Sequence, residues 1–287
     1  MINDDKFRQL LDRLGLSWQG YARVRKGVKK RICRHMEELG YRTVDDYLHA
    51  LNNPEILKEV EFLFCVSISR FFRDHYLWQV MEGEIIPDII RRYGEKINIW
   101  SAGCALGQEV YSFAILWDRT KGKFERLPRL HIHATDSNPS YLKKAAEGIY
   151  SPQILKGLSE EIKGNYFHRR EDESDYCVAD YLKKEILWEL HDMMAQPPLL
   201  GKFQILFLRN SLLTYYRIER IVSVFLKIVD SLDEGGFFIV GRHENLPIQT
   251  TLLLPYKGCS YIFQKTETTR TSLQEKTRPC ESSVKGI

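Results

Sequence analysis

No apolar run in this 287-residue chain approaches the ~18 to 20 residues of a membrane-spanning helix, because charged residues interrupt every apolar stretch from Asp4 onward. A charged-then-apolar leader is missing for the same reason, so a cytoplasmic protein without direct membrane insertion is expected. Paired cysteines are also missing. Cys33, Cys65, Cys104, Cys177, Cys259 and Cys280 are scattered, with no CxxC spacing and no adjacent histidine pair. That scatter argues against a disulfide framework and a structural zinc, and no metal is expected. An excess of one charge is absent too: 42 Lys and Arg against 38 Asp and Glu leave a net +4. Nucleic-acid binding would therefore have to rest on a local patch. No internal repeat stands out at any solenoid period.

What is present is enough apolar material, 44% of residues, for more than one average domain. Up to about residue 75 the apolar positions recur at helical spacing: Phe7, Leu10, Leu11 and Leu14, then Tyr21, Val24, Val28, Ile32, Met36 and Leu39. Thr43-Val44-Asp45-Asp46 resembles a capping box, and Asn53-Pro54 sets a cap before a first-turn proline. From about residue 95, β-rich runs alternate with helical ones: Ile97 to Trp100, His131 to Thr135, Ile186 to Leu190, Phe203 to Leu208 and Phe237 to Val240. This alternation predicts a mostly parallel sheet covered by helices. Ser260 to Glu267 alternates like an edge strand that would close the sheet antiparallel. The predicted division is a helical domain over 1–76, an α/β domain over 77–270 with an insert at about 168–185, and a mobile tail over 271–287.

The segment "INIWSAGCALGQE" (Ile97 to Glu109) runs from strand residues into a turn of small side chains. In a doubly wound sheet a small-residue turn at a strand's carboxyl end lets backbone N–H groups approach a ligand. Gly103 and Gly107 form GxxxG rather than GxGxxG, and no lysine follows to make a P-loop, which weakens a pyrophosphate reading. Asp136 ends the next strand, in "HATDSN", where a carboxylate accepts hydrogen bonds from both hydroxyls of a ribose. Together these features suit a phosphate-free adenosyl ligand, of which S-adenosylmethionine is the common one. The alternative is a tight strand-to-helix turn with Asp136 capping the next helix. A nicotinamide oxidoreductase is disfavoured by the missing third glycine.

Five motifs then occur in order: "FFRD", "WSAGCALGQEVYS", "ATDSN", "RNSLLTYY" and "GRHEN". The sequence resembles the chemotaxis-receptor methyltransferase family, the CheR type, over about residues 5 to 250. The resemblance implies an α/β fold: an N-terminal all-α helical domain followed by a class I Rossmann-like S-adenosylmethionine methyltransferase domain, its mostly parallel sheet closed by an antiparallel C-terminal strand. It implies methylation of glutamate carboxylates on a chemoreceptor-like protein, with S-adenosylhomocysteine as the spent product. By position, the implied cofactor contacts fall on Ser67, Ser69, Arg73, Gly103, Glu109, Asp136, Asp192, Met193, Arg209 and Asn210. The catalytic side falls on Arg73 and Tyr215. Several positions depart from the family pattern. Ser67 and Ser69 replace the usual Asn and Thr, Gln108 replaces a Glu, and "HDMM" replaces an Asn-Leu pair. Thr214 stands where the family has its tyrosine, with Tyr215 and Tyr216 displaced.

A glutamate acceptor with a pKa near ~4.3 is already ionised at neutral pH, so methyl transfer to it needs no general base. Alignment and water exclusion remain as the protein's task. Arg73, with its planar two-pronged donor, suits either the acceptor carboxylate or the cofactor's own. His131 and His133 alternate on one strand and read as sheet residues rather than a metal pair; His243 and Tyr111 are weaker candidates for the pocket. The stretch from Tyr21 to His35 holds seven cations and no acid, with Lys26, Lys30 and Arg34 at four-residue steps. In the family a basic helix of this kind, here Arg23 to Arg34, is associated with the acidic methylation region of a receptor. A solvated face is the alternative, and nucleic acid is disfavoured because stacking aromatics are not interleaved. Two further functional readings are open: the same cofactor with another protein or small-molecule acceptor, and a non-catalytic S-adenosylmethionine-binding signalling module.

Overall fold

The computed structural model describes residues 2–170 and 174–267; the tail expected from 271 and residues 171–173 of the insert lie outside them. Five helices lead the chain: α1 (Asp4–Leu14), α2 (Trp18–Tyr21), α3 (Arg25–Glu38), α4 (Val44–Ala50) and α5 (Pro54–Leu63). Local chemistry sets their ends. The Asn3 side chain accepts from the Lys6 N–H, and Gly15, at φ 66°, ends α1 in the left-handed conformation that glycine adopts without strain. Thr43 and Asn53 cap α4 and α5 with their side chains, and Pro54 takes the first turn. The apolar series from Tyr21 to Leu39 is not one helix. Tyr21 lies on α2, a turn intervenes before α3, and Leu39 is 41% exposed just past its end. Phe7, Tyr21 and Phe64 form the centre of this unit's core, with ring centroids 5.5 to 6.4 Å apart.

The second part opens with α6 (His75–Val80), a π-helical turn at Met81–Ile85 and α7 (Ile86–Arg92). The strands follow: β1 (Lys96–Ala102), β2 (Arg129–Asp136), β3 (Ile149–Tyr150), β4 (Phe167–Arg169), β5 (Tyr176–Val178), β6 (Ile186–Leu190), β7 (Phe203–Leu208), β8 (Leu232–Val240), β9 (Leu253–Pro255) and β10 (Ile262–Lys265). Between them lie α8 (Gln108–Thr120), α9 (Pro139–Glu147), α10 (Pro152–Leu155), α11 (Glu160–Tyr166), α12 (Asp180–Lys183), α13 (Leu212–Tyr215) and α14 (Ile218–Asp230). Seven strands make one sheet in the order β6-β2-β1-β7-β8-β10-β9. The first five are parallel, and β10 runs antiparallel to β8. The α/β class and the antiparallel closing strand agree with the sequence reading.

One expectation is corrected. β10 is not the edge of the sheet, because β9 pairs with its free side. β9 escaped notice because it is only three residues long and ends on Pro255, a residue that lacks a ladder donor and suits an edge strand. The polar stretch before β6 belongs to a small antiparallel sheet, β3-β5-β4, that begins at Ile149, well before residue 168.

The middle of the main sheet is covered on both faces, and all six residues of β7 are buried. The chain leaves β1 toward β2 on one side and reaches β7 on the other. The carboxyl ends of β1 and β7 therefore flank the point where strand order reverses, the place where open α/β sheets bind ligands. His133 packs its ring on Phe203 at 5.4 Å, and burial pushes its pKa down. Among the described residues no group of His, Cys, Asp or Glu is arranged to hold a metal, and no helix is long and apolar enough to cross a membrane.

Phe225 on α14 is fully buried and meets Phe238 on β8 edge to face at 5.7 Å. Phe225→Ala is expected to cost about 3 to 5 kcal/mol. Urea titration should show this as a lower midpoint with an unchanged slope.

Candidate functional site

Four segments meet beyond the carboxyl ends of β1, β2, β6 and β7. After β1, the N–H groups of Gly103 and Cys104 both donate to the Thr135 carbonyl, at 2.8 and 2.9 Å, tying this loop to β2. Gly103 has φ 82°, and a Cβ there would stand 2.8 Å from the Cβ of Ser211, so the loop after β7 leaves no room for a side chain. Gly107, at φ 84°, is equally confined, but by Ala145 and Trp188 on the far side, which is a packing constraint. The small residues of this turn thus answer to protein neighbours as well as to a cavity.

Asp136 ties the second loop to the first. Its Oδ2 accepts from the Ala105 N–H and its Oδ1 from the Asn138 N–H, both at 2.9 Å. α9 is capped by Asn138, whose side chain accepts from Ser140 and Tyr141, so Asp136 is not that helix's cap. Burial pushes the Asp136 carboxyl up from its ordinary range, opposed by these backbone donors. From β6 the His191 N–H donates to the Asp136 carbonyl at 3.1 Å, which brings Asp192 and Met193 to the same cavity.

Beneath these loops lies a buried charge network. The Arg209 side chain, 3% exposed, donates to Glu109 Oε2 at 2.8 Å and to Asp74 Oδ2 at 2.5 Å. Ser101 donates to the other oxygen of Glu109 at 2.9 Å, and Arg209 also reaches the Arg73 carbonyl at 3.3 Å. Removing one member would strand buried charge, a loss of about 3 to 5 kcal/mol in comparable pairs. Asp74 was not singled out in the sequence; its place directly after "FFR" was the available signal. Arg73 differs from Arg209. Its guanidinium donates to the Ile68 carbonyl at 3.1 Å and has no carboxylate at ion-pair distance among the described residues.

Glu244 is a second buried carboxylate that sequence reasoning passed over. Its Oε2 accepts from the N–H groups of Asn210, at 2.9 Å, and Gly241, at 2.6 Å, while Oε1 accepts from the Thr214 hydroxyl. Burial raises its pKa against those donors. Thr214 therefore spends its hydroxyl on Glu244, and the next residue, Tyr215, lines the cavity. Burial pushes the Tyr215 hydroxyl up, opposed by the nearby Arg73 charge.

The resulting open cavity, its mouth included, is about 1240 Å³. Ser69, Arg73, Gly103, Glu109, Asp136, Asp192, Met193, Arg209, Asn210 and Tyr215 line it. Ser67 is outside the lining and lies beside Tyr141. His243 is exposed, and Tyr111 is buried with its hydroxyl on the Ala145 carbonyl, so neither contributes a wall. Leu14, Leu16, Tyr21, Glu61 and Phe64 do, from the helical unit, and no sequence pattern announced them. The donor set suits an adenosyl group: a strand-end carboxylate for the ribose, a methionine face for the base, and no lysine among the described lining residues for phosphates.

Residues 67–261, more than half of the chain, match the family described as CheR methyltransferase, SAM binding domain. The chain belongs to the CheR methyltransferase family. Its cofactor is S-adenosylmethionine, and it is a methyltransferase. The chemotaxis protein methyltransferase of Listeria innocua is 30% identical over 234 residues, which cover 81% of this chain and 86% of that protein. The chemotaxis protein methyltransferase of Vibrio parahaemolyticus is 33% identical over 180 residues, covering 61% and 64%. Chemotaxis protein methyltransferase 1 of Pseudomonas aeruginosa is 28% identical over 229 residues, covering 77% and 83%.

Asp136→Ala should weaken the binding of S-adenosylmethionine and S-adenosylhomocysteine alike, since both carry the ribose. The carboxylate must be ionised to accept both hydroxyls and its folded pKa is raised. Wild-type affinity should therefore fall as pH drops through a midpoint above the ordinary Asp range, and the Ala variant should lack that dependence. Calorimetry across pH 4 to 8 tests this, and equal affinities for the two proteins would remove Asp136 from the site.

Proposed function

We propose that this CheR-family enzyme acts in the cytoplasm and methylates glutamate side chains of a chemoreceptor-type protein. The observation that carries this reading is the contrast between two arginines. Arg209 is consumed by Glu109 and Asp74, whereas Arg73 lines the cavity without a carboxylate partner among the described residues. A carboxylate arriving there meets a half-buried charge already oriented by the Ile68 carbonyl. S-adenosylmethionine, when bound, supplies an electrophilic methyl group on a sulfonium sulfur. Asp136 holds the ribose, Asp192 and Met193 face the base, and Gly103, Ser69 and Asn210 shape the remaining contacts. Ser67 acts from behind that wall, through Tyr141. Glu109 and Arg209 act as a rigid floor, since their polar atoms are aimed at each other. Arg73 orients the acceptor carboxylate, and Tyr215 closes the transfer point against water. The ionised acceptor is itself the nucleophile, so no side chain has to remove a proton.

The names of the relatives, chemotaxis protein methyltransferases, support a receptor substrate. So does the surface of α3. Arg25 and Lys29 pair with Asp4, and Arg31 donates to the carbonyls of Leu63 and Cys65. Arg23, Lys26, Lys30 and Arg34 are exposed, with no ion pair among the described residues, and form the docking face for an acidic receptor helix. The two separate buried clusters, one built from the first five helices and one around the sheet, support the division near residue 76. A second reading keeps the donor and changes the acceptor, because Thr214 gives its hydroxyl to Glu244 where the family has a tyrosine.

Isotopically labelled methyl transfer onto receptor cytoplasmic fragments tests the first reading. Base-labile label on glutamate supports it, and label appearing only on another acceptor overturns it. Arg73→Ala should lower kcat on the order of 10²-fold, the scale of losing one preorganised charged contact, with thermal melting unchanged. Lys26→Glu with Lys30→Glu should raise KM for the receptor fragment and flatten its salt dependence, while affinity for S-adenosylhomocysteine stays at the wild-type value.

A further inference from the structure

The wall of the cavity opposite the sheet belongs to the helical unit, and one contact in it is closer than any side chain would allow. α2 lies against the turn that carries Thr214 and Tyr215. A Cβ at Gly20 would fall inside contact distance of the Thr214 carbonyl oxygen, 3.0 Å from that carbonyl carbon and 3.2 Å from Tyr215 Cα. Gly20 has no positive φ, so glycine is not required there by backbone conformation. It is required by the approach of a second backbone.

The same two segments are joined on either side of that contact. The Ser17 N–H donates to the Tyr215 carbonyl at 2.8 Å, and the Arg217 N–H donates to the Gly15 carbonyl at 3.1 Å, so that Leu16 and Tyr216 form a two-residue antiparallel bridge. Beyond the bridge the rings of Tyr21 and Tyr215 meet at 4.9 Å, inclined by 50°. Tyr215 is thus held from behind by elements that are about 195 positions away in sequence, and its own helix α13 is a single turn.

We propose that Gly20 is a positioning residue for methyl transfer: by admitting α2 against the Thr214 carbonyl, it sets the place of Tyr215 at the transfer point. This rests on the reading of Tyr215 given under the proposed function. The ribose and base contacts come from β1, β2 and β6, on the other side of the cavity. Displacing α2 should therefore change turnover and leave cofactor binding alone.

The test compares Gly20→Ala with Gly164→Ala, which lies mid-helix in α11 with nothing within 4 Å of the added Cβ. Alanine is the better helix former at both positions, so local helix propensity cannot account for a loss. For Gly20→Ala we expect kcat at least tenfold lower, with KM and the S-adenosylhomocysteine dissociation constant within about twofold of wild type. Hydrogen exchange of the Ser17 and Arg217 amides should be faster, and Gly164→Ala should match wild type in every measurement. In a Tyr215→Ala background, which removes the ring that closes the transfer point, the Gly20 effect on kcat should largely vanish, because both changes act on one group. Full kcat in Gly20→Ala, or an equal loss in both backgrounds, overturns the proposal. Should Gly20→Ala fail to fold, Tyr21→Leu, which removes the ring behind Tyr215, must show the same split between kcat and cofactor affinity. A wild-type enzyme that binds cofactor yet labels no receptor fragment would sink the acceptor reading. Unchanged exchange at Ser17 and Arg217 would sink this one.

Discussion

The Arg209 guanidinium, enclosed between Glu109 and Asp74, is the interaction on which the site depends. It joins three segments distant in sequence: the end of β7, the first turn of α8 and the chain entering α6. Each of these carries a cavity-lining loop. In water such a pair would contribute little; with the side chain 3% exposed, the charges are matched to each other or not at all. Ser101 completes the arrangement by donating to the free oxygen of Glu109. The network therefore fixes where the loops start, before any ligand contributes.

Holding these loops in register comes with local backbone strain. Phe72, Asp74, Ala105 and Asn210 all have positive φ although none is glycine, and all four sit at or beside the cavity. Each has a compensating bond. The Phe72 N–H donates to Ser112 Oγ, Asp74 accepts from Arg209, the Ala105 N–H donates to Asp136, and the Asn210 N–H donates to Glu244. Two of those four acceptors, Asp136 and Glu244, are carboxylates whose pKa burial raises. Burial makes the folded chain hold these two protons more tightly than the unfolded chain does, so the stability tied to their protonated forms is lost as pH rises through the raised values. The site is built from groups whose position matters more than their contribution to folding.

This explains what the sequence could and could not disclose. β1, β2, β7 and β8 were legible because their apolar runs reflect burial, a property each residue carries locally. The small residues around Gly103 and the acid at Asp136 were legible for a similar reason, since both follow a strand end directly. β9 was not, being three residues long, and neither were β3 to β5, which are too short to show a period. Asp74 and Glu244 were missed as site residues because their meaning lies in partners: Arg209 is 135 positions from Asp74, and Asn210 is 34 from Glu244. A lone acid after an arginine looks like any surface charge until the fold supplies the other half.

The helical unit follows the same logic on a larger scale. Its core around Phe7, Tyr21 and Phe64 is separate from that of the sheet, yet Tyr215 and Tyr216 pack against it from the other unit. Arg31 of the basic helix turns inward to the Leu63 and Cys65 carbonyls, and Tyr141 of the α/β part donates to the same Cys65 carbonyl at 3.3 Å. A partner engaging the outward cations of α3 would thus press on a helix bonded to the segment that leads into the cavity. Two units with separate cores, joined by such polar contacts, the Leu16–Tyr216 bridge and a pair of tyrosines, can share a site without sharing a fold. That is why the cavity wall was invisible to any reading that took each unit alone.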